Sequence, residues 1–209
     1  MCNRDGTVWI AFNGQIYNYR QLRNELKAQN YEFSSNSDTE VIIHGYQEWG
    51  IDRLLERLRG MFAFAIYDLR FTNPKLILAR DRFGIKPLYY YQDNEQVVFS
   101  SEVGAIVKSG CISIEKNRET QILFLIFGNI PTPLTTIKNI FSFPAASYLS
   151  IEDSNKKLVK YYNLVDYIAS IDSCLKIFRK IPKPLLTRPL KNMLSKEIVF
   201  RKTGLYFSL

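Results

Sequence analysis

Apolar positions along the first hundred residues switch between a two-residue and a 3.6-residue period, and the switches mark the elements. Thr7–Phe12 is β-branched and aromatic and reads as a strand, predicted to stop at Asn13-Gly14, a pair that favours tight turns with positive φ. Asn18 is placed to cap a helix over Tyr19–Gln29, where Leu22 and Leu26 fall on one face. Ser37-Asp38-Thr39-Glu40 opens a second helix, Thr39–Trp49, with Val41, Ile42 and Tyr46 as its apolar stripe. Glu40 stands three residues after Ser37, the capping-box spacing. Ile51–Leu58 reads as one more short helix, ended by Gly60.

Four short strands follow: Met61–Asp68, Lys75–Ala79, Leu88–Tyr91 and Gln96–Ser100. Helices followed by an antiparallel meander predict an α+β fold. Met61–Asp68 is apolar almost throughout, so it is expected to be buried on both faces, as between a helical layer and a second stacked sheet.

Beyond Gly110 the pattern changes. Lys116–Phe127 reads as an amphipathic helix, Gly128–Pro133 as a break, and Thr136–Phe143, Ser147–Ile151 and Leu158–Tyr162 as a small hairpin system. Leu175–Ile181 and Leu185–Leu194 read as helices split by Pro182 and Pro184. The division this suggests is a first domain over 1–110 and a second over 111–209.

The 209 residues are 46% hydrophobic and 14% aromatic, a composition that can bury a core and is unlike a disordered chain. An apolar run such as Ile122–Phe127 is far too short to span a bilayer, and no basic start leads into an apolar stretch, so a cytoplasmic protein without a signal peptide is expected. The net charge of +8 is unevenly placed. Residues 1–110 balance 13 basic against 13 acidic side chains, whereas Ile171–Leu209 carries 9 against 2. Such a tail fits a nucleic-acid or membrane-surface contact, or a piece of a larger domain that has lost its acidic partners.

Cys2, Cys111 and Cys174 are odd in number and widely spaced, which suggests neither a disulfide framework nor a metal site. His44 is the only histidine, so triad chemistry is excluded unless it is the base, and on its helix it reads as a packed or solvated imidazole. Arg80-Asp81-Arg82 reads as a structural, solvated ion-pair cluster.

Several separated segments then converge: Phe12-Asn13-Gly14-Gln15-Ile16-Tyr17-Asn18, Ser37-Asp38-Thr39-Glu40, Gly60–Ala65, Ala79–Tyr90 and Ser100-Ser101-Glu102. Together they resemble the glutaminase domain of glutamine-hydrolysing asparagine synthetase, a class II glutamine amidotransferase, almost unbroken from Asn3 to Gly110. The resemblance implies an N-terminal-nucleophile-hydrolase-like αββα sandwich, here incomplete. In that family a mature N-terminal cysteine attacks the glutamine side-chain amide with its own α-amine as base, and ammonia leaves from an acyl-enzyme. By position, Asn13 and Gly14 match the oxyanion hole, and Asp38 matches the carboxylate that binds the α-ammonium of glutamine. Gln15 stands where the family has glutamate; it keeps hydrogen bonding and loses charge.

The resemblance also implies what is absent. The family places a nucleophile and an arginine segment several dozen residues ahead of the Asn-Gly pair, where this chain has twelve. Cys2 is the available substitute, but a straight strand puts it on the order of 20–35 Å from Asn13, so no nucleophile is expected. Phe127–Tyr162 is similar to the family's entry into the synthetase domain, with Ala145-Ala146 where Pro-Gly is expected, and Pro182–Gly204 to that domain's far C-terminal part. The Ser-Gly-Gly-x-Asp-Ser phosphate loop does not occur. The expectation is a truncated, internally deleted synthetase, inactive alone. Its relatives would need ATP and magnesium, but this chain would bind neither. The partners implied are glutamine and a second copy in a homodimer, with no nucleic acid and no membrane. Two further readings are a non-catalytic glutamine-binding or subunit-interaction module and a basic-tail nucleic-acid binder.

Overall fold

The computed structural model describes residues 1–169 apart from positions 94 and 154. The two helices expected after Leu175, the resemblance over Pro182–Gly204, Cys174 and the basic tail lie outside those residues. Met1–Tyr162 forms one compact unit, and residues from Asn163 on belong to a second.

The first unit contains eight strands and four helices among its described residues: β1 (Val8–Ile16), α1 (Tyr19–Ala28), α2 (Asp38–Arg57), β2 (Gly60–Asp68), β3 (Lys75–Arg80), β4 (Tyr89–Gln92), β5 (Val97–Ser100), α3 (Val103–Lys108), α4 (Arg118–Phe127), β6 (Ile140–Ser142), β7 (Ser147–Glu152) and β8 (Asn155–Lys160). The strands build a five-stranded sheet, β1-β2-β3-β7-β8, and a three-stranded sheet, β5-β4-β6. Every pairing is antiparallel.

The pattern of β2 sets the layering. Phe62, Phe64 and Ile66 turn to one face and pack with Leu22 and Leu26 of α1 and Val41, Ile42 and Leu54 of α2. Ala63 and Ala65 turn to the other and meet Leu88 and Phe143 between the sheets. Large side chains fill the helical side, and small ones let the second sheet come close. Beneath the three-stranded sheet, Ile106 of α3 joins Ile112 and Ile140 in a further cluster. The order is helix, sheet, sheet, helix.

Several expectations are corrected. β1 does not stop at Asn13-Gly14 but runs through it, with Asn13 opposite Ala63 and Gly14 opposite Phe62. Nine paired residues outweigh the turn preference of one dipeptide. The Asn18 side chain makes no cap bond to α1; its amide donates to the Arg57 carbonyl and its oxygen accepts from the Arg59 N–H, tying the helix start to the α2–β2 turn. Ser37 does cap α2, through Thr39 N, but Glu40 does not close a capping box. It reaches outward to the N–H and hydroxyl groups of Ser34 and Ser35. α2 merges the two expected helices across a kink at Gly50, whose φ is 72°. The hairpin system expected after residue 135 is divided: β6 completes the small sheet, while β7 and β8 extend the large one. The compact unit therefore continues to Tyr162 and does not end at Gly110.

Candidate active site

β1 is the end strand of its sheet, and the direction of its backbone groups follows from a few bonds. Toward β2, Leu69 N donates to Thr7 O and Tyr17 N to Arg59 O. On the outer side, Asn3 N donates to Val8 O, Ile10 N donates to Met1 O at 2.8 Å, and Ile16 N donates to Asp38 Oδ2 at 2.8 Å. In an antiparallel pair, successive residues alternate between facing the partner strand and facing away. The N–H groups of Phe12 and Gly14 therefore point off the open edge. Met1–Asn3 guards the edge on one side of them and Asp38 on the other.

Gly14 occupies its position because β2 comes too close for anything larger. A Cβ there would overlap the Met61 carbonyl oxygen and lie 2.7 Å from Phe62 Cα. Phe62 is in turn held by Asp81, which is 1% exposed. Asp81 accepts backbone N–H groups from Phe62, Phe83, Ile85 and Lys86. The adjacent Arg80 guanidinium donates to the carbonyls of Gly84, Lys86 and Phe143. In place of the expected solvated ion-pair cluster, Arg80 and Asp81 clamp backbone groups.

The Asn13 side chain lies on the intersheet face, where its Nδ2 donates to Ser101 Oγ at 3.0 Å. Both residues line a cavity of about 250 Å³. Gln15 follows on the same face of β1, exposed and without a side-chain partner among the described residues. Asp38 is the first residue of α2, where a carboxylate is favoured by the helix dipole. One of its oxygens takes the Ile16 N–H, and the other has no protein partner among the described residues. The fold thus brings Asn13, Gly14, Gln15 and Asp38 to one end of β1.

Cys2 is not brought there. The chain turns back through residues 4–6, and Cys2 pairs with Trp9 on the outer edge. Four residues of strand separate Trp9 from Asn13, or ~13 Å, less than the straight-strand expectation and still far beyond bonding reach. Cys111 lies beside Gln96, which donates to its carbonyl, at the end of β5 away from Ser101. His44 sits against Tyr31 and Phe33 with Nε2 3.7 Å from Glu40, as a packed imidazole. Among the described residues there is no group of three or more His, Cys, Asp or Glu side chains placed to hold a metal ion. No helix among them is long and apolar enough to cross a membrane.

Ser101 was given no role by sequence reasoning. Its one signal was membership of the Ser100-Ser101-Glu102 segment that carries part of the resemblance.

Two antiparallel sheets packed between helices make this an N-terminal-nucleophile-type glutamine amidotransferase fold. The glutamine phosphoribosylpyrophosphate amidotransferase of B. subtilis, solved with ADP and GMP, aligns with it at a TM-score of 0.53 and 23% identity, covering 78% of this chain and 31% of that one. That likeness concerns the fold alone. The family is settled by sequence: residues 1–162 match the glutamine amidotransferase domain, and the chain belongs to that family, in the class II branch found in asparagine synthetases. Asparagine synthetase [glutamine-hydrolyzing] 1 of Bacillus subtilis is 40% identical over 159 residues, covering 76% of this chain and 24% of that protein. Putative asparagine synthetase [glutamine-hydrolyzing] 1 of Methanocaldococcus jannaschii is 49% identical over 104 residues, covering 50% and 18%. The chain spans less than a third of the length of these relatives.

Proposed function

We propose that Met1–Tyr162 binds glutamine at the open end of β1, as the glutamine-hydrolysing part of an asparagine synthetase. In the whole protein, the ammonia released would amidate aspartate at the expense of ATP. The observation that carries this reading is the Gly14 N–H on the strand edge, without a partner among the described residues and flanked by the Asn13 amide and by a carboxylate fixed to Ile16. The Asp38 oxygen left free takes the α-ammonium of glutamine, a charge-assisted bond that sets which way the substrate lies. The Asn13 Nδ2 and Gly14 N–H then face the side-chain carbonyl oxygen.

When a thiolate attacks the amide carbon, the carbonyl π electrons move to that oxygen, and these two donors stabilise the charge. Collapse expels the nitrogen, protonated, as ammonia; water then releases glutamate from the thioester. Losing one such donor typically costs ~100-fold or more in rate. The described residues supply the donors and the ammonium clamp, but Cys2, at Trp9, does not supply the thiolate. The 209-residue chain is accordingly read as a glutamine binder without turnover of its own. Homodimer formation and a cytoplasmic location for the whole protein accompany this reading by family resemblance.

The test is glutamine titration by calorimetry, alongside ammonia release by the chain and by Cys2→Ala and Asn13→Ala variants. Saturable binding, weakened at least ~10-fold but still measurable in Asn13→Ala, with ammonia at background, is the expected result. Turnover abolished by Cys2→Ala would overturn the inactivity of the chain and place Cys2 at the site.

A further inference from the structure

We propose that Ser101 is the positioning residue that aims the Asn13 amide at the side-chain carbonyl oxygen of bound glutamine. The inference rests on reading the open end of β1 as the glutamine site and assigns a function to a hydroxyl from the opposite sheet.

An asparagine amide is useful as an oxyanion donor only if its plane is fixed before the charge appears; a donor that must rotate into place gives back much of its advantage. On the intersheet face Asn13 lies between Ala11 and Gln15 of its own strand and opposite Ala63. Only Gln15 among these carries a polar side chain, and it makes no hydrogen bond to Asn13 among the described residues. The bond from Nδ2 to Ser101 Oγ, 3.0 Å, is the one side-chain hydrogen bond of Asn13 among the described residues, and it crosses 88 positions of sequence. An NH2 group has two N–H bonds. With one directed at Ser101, the other has its direction set by the planarity of the amide and is left for the substrate oxygen beside Gly14.

Ser101 is itself held. It follows β5 directly, and the next turn is fixed by Glu102 N donating to Ser100 Oγ at 3.2 Å, before α3 begins at Val103. The three-stranded sheet therefore acts as a bracket for a donor carried by the edge of the five-stranded one. Both residues are only half-buried beside the cavity, so water can replace the bond when Ser101 is truncated. The loss then falls on direction and much less on stability.

The experiment follows the Asn13 side-chain amide protons by NMR in the full chain, assigned by their disappearance in Asn13→Ala. Ser101→Ala is expected to shift these protons and speed their exchange with water, and Ser101→Thr to restore them, with the melting temperature of each variant close to that of the parent. In parallel, Ser101→Ala weakens glutamine binding ~10-fold, Ser101→Thr by no more than ~2-fold, and Ser101→Ala adds nothing in an Asn13→Ala background. Asn13 amide protons unchanged by Ser101→Ala overturn the proposal. Amide protons that respond to Ser101→Ala, in a chain whose glutamine affinity ignores Asn13→Ala, overturn instead the reading of the site on which it rests.

Discussion

The carboxylate of Asp38 accepts the backbone N–H of Ile16 at 2.8 Å, so the first residue of α2 is fastened to the strand that carries Asn13 and Gly14. On the proposed reading, its structural and binding roles share one side chain but use different atoms. Replacing Asp38 by Asn keeps an acceptor for Ile16 and removes the charge. We expect Asp38→Asn to lower stability by under about 1 kcal/mol and to weaken glutamine binding at least ~10-fold, by thermal denaturation and calorimetry. Asp38→Ala should lose both, with a further stability cost of about 1 kcal/mol.

Gly14→Ala should destabilise the fold by about 3 kcal/mol, since its methyl would overlap the Met61 carbonyl and β2 is clamped from behind by Asp81. Urea unfolding checks this. A loss under about 1 kcal/mol would mean that the β1–β2 pair can spread.

Glu40 gives the chain an acid-sensitive point. Burial alone would raise its carboxyl, but hydrogen bonds from the hydroxyls and N–H groups of Ser35 and Ser34 outweigh burial and hold it at about 2. A folded-state value below the unfolded one stabilises the fold above the ordinary carboxylate range and is lost as pH falls through the folded value. Glu40 should therefore contribute about 3 kcal/mol at pH 7, lost between about pH 4.5 and 2. Glu40→Gln should flatten that part of the stability curve, measured by urea midpoints from pH 7 to 2.

Asp68 is fully buried and takes hydrogen bonds from Tyr46 Oη and from Nε and Nη2 of Arg70. Burial opposes its charge, and the Arg70 bonds outweigh it, leaving the carboxyl below its usual range. Arg70→Met strands that charge and should cost about 3–5 kcal/mol at neutral pH. The gap to the parent should narrow below the ordinary Asp range, where a protonated Asp68 needs no cation. A pH-independent gap would assign the loss to packing of Arg70 against Tyr46.

α4 buries only Thr120, while Ile122 and Phe124–Phe127 stand 53–83% exposed. An apolar face of that kind invites self-association. Leu125→Lys and Ile126→Glu together should raise the concentration at which the chain stays monodisperse in light scattering, without lowering its melting temperature.

How much of this was legible in sequence depended on distance along the chain. β2 was legible because Phe62, Phe64 and Ile66 alternate with Ala63 and Ala65, a pattern that reports both faces at once. The two halves of α2 were legible as separate helices, Thr39–Trp49 and Ile51–Leu58, on either side of the Gly50 kink. Asn13-Gly14 misled because a dipeptide reports its local preference, whereas the glycine is required by the approach of Met61 from another strand. The bonds that assemble the site, Asp38 to Ile16 and Asn13 to Ser101, span 22 and 88 positions. No local pattern encodes them. The family motifs located the residues, and the geometry supplied their partners.

The gap on the outer side of β1 has a bearing on how the chain meets other chains. Among the described residues, the outward groups of Phe12 and Gly14 alone lie between the cover of Met1–Asn3 and that of Asp38, one repeat of an antiparallel ladder. A foreign strand needs several consecutive bonds to be held, and here it would collide with a guard on each side after the first. A single carbonyl oxygen meets no such obstacle. On the proposed reading, the edge is selective by width among the described residues: too narrow for the strand that an unpaired edge usually attracts, and wide enough for a small amide.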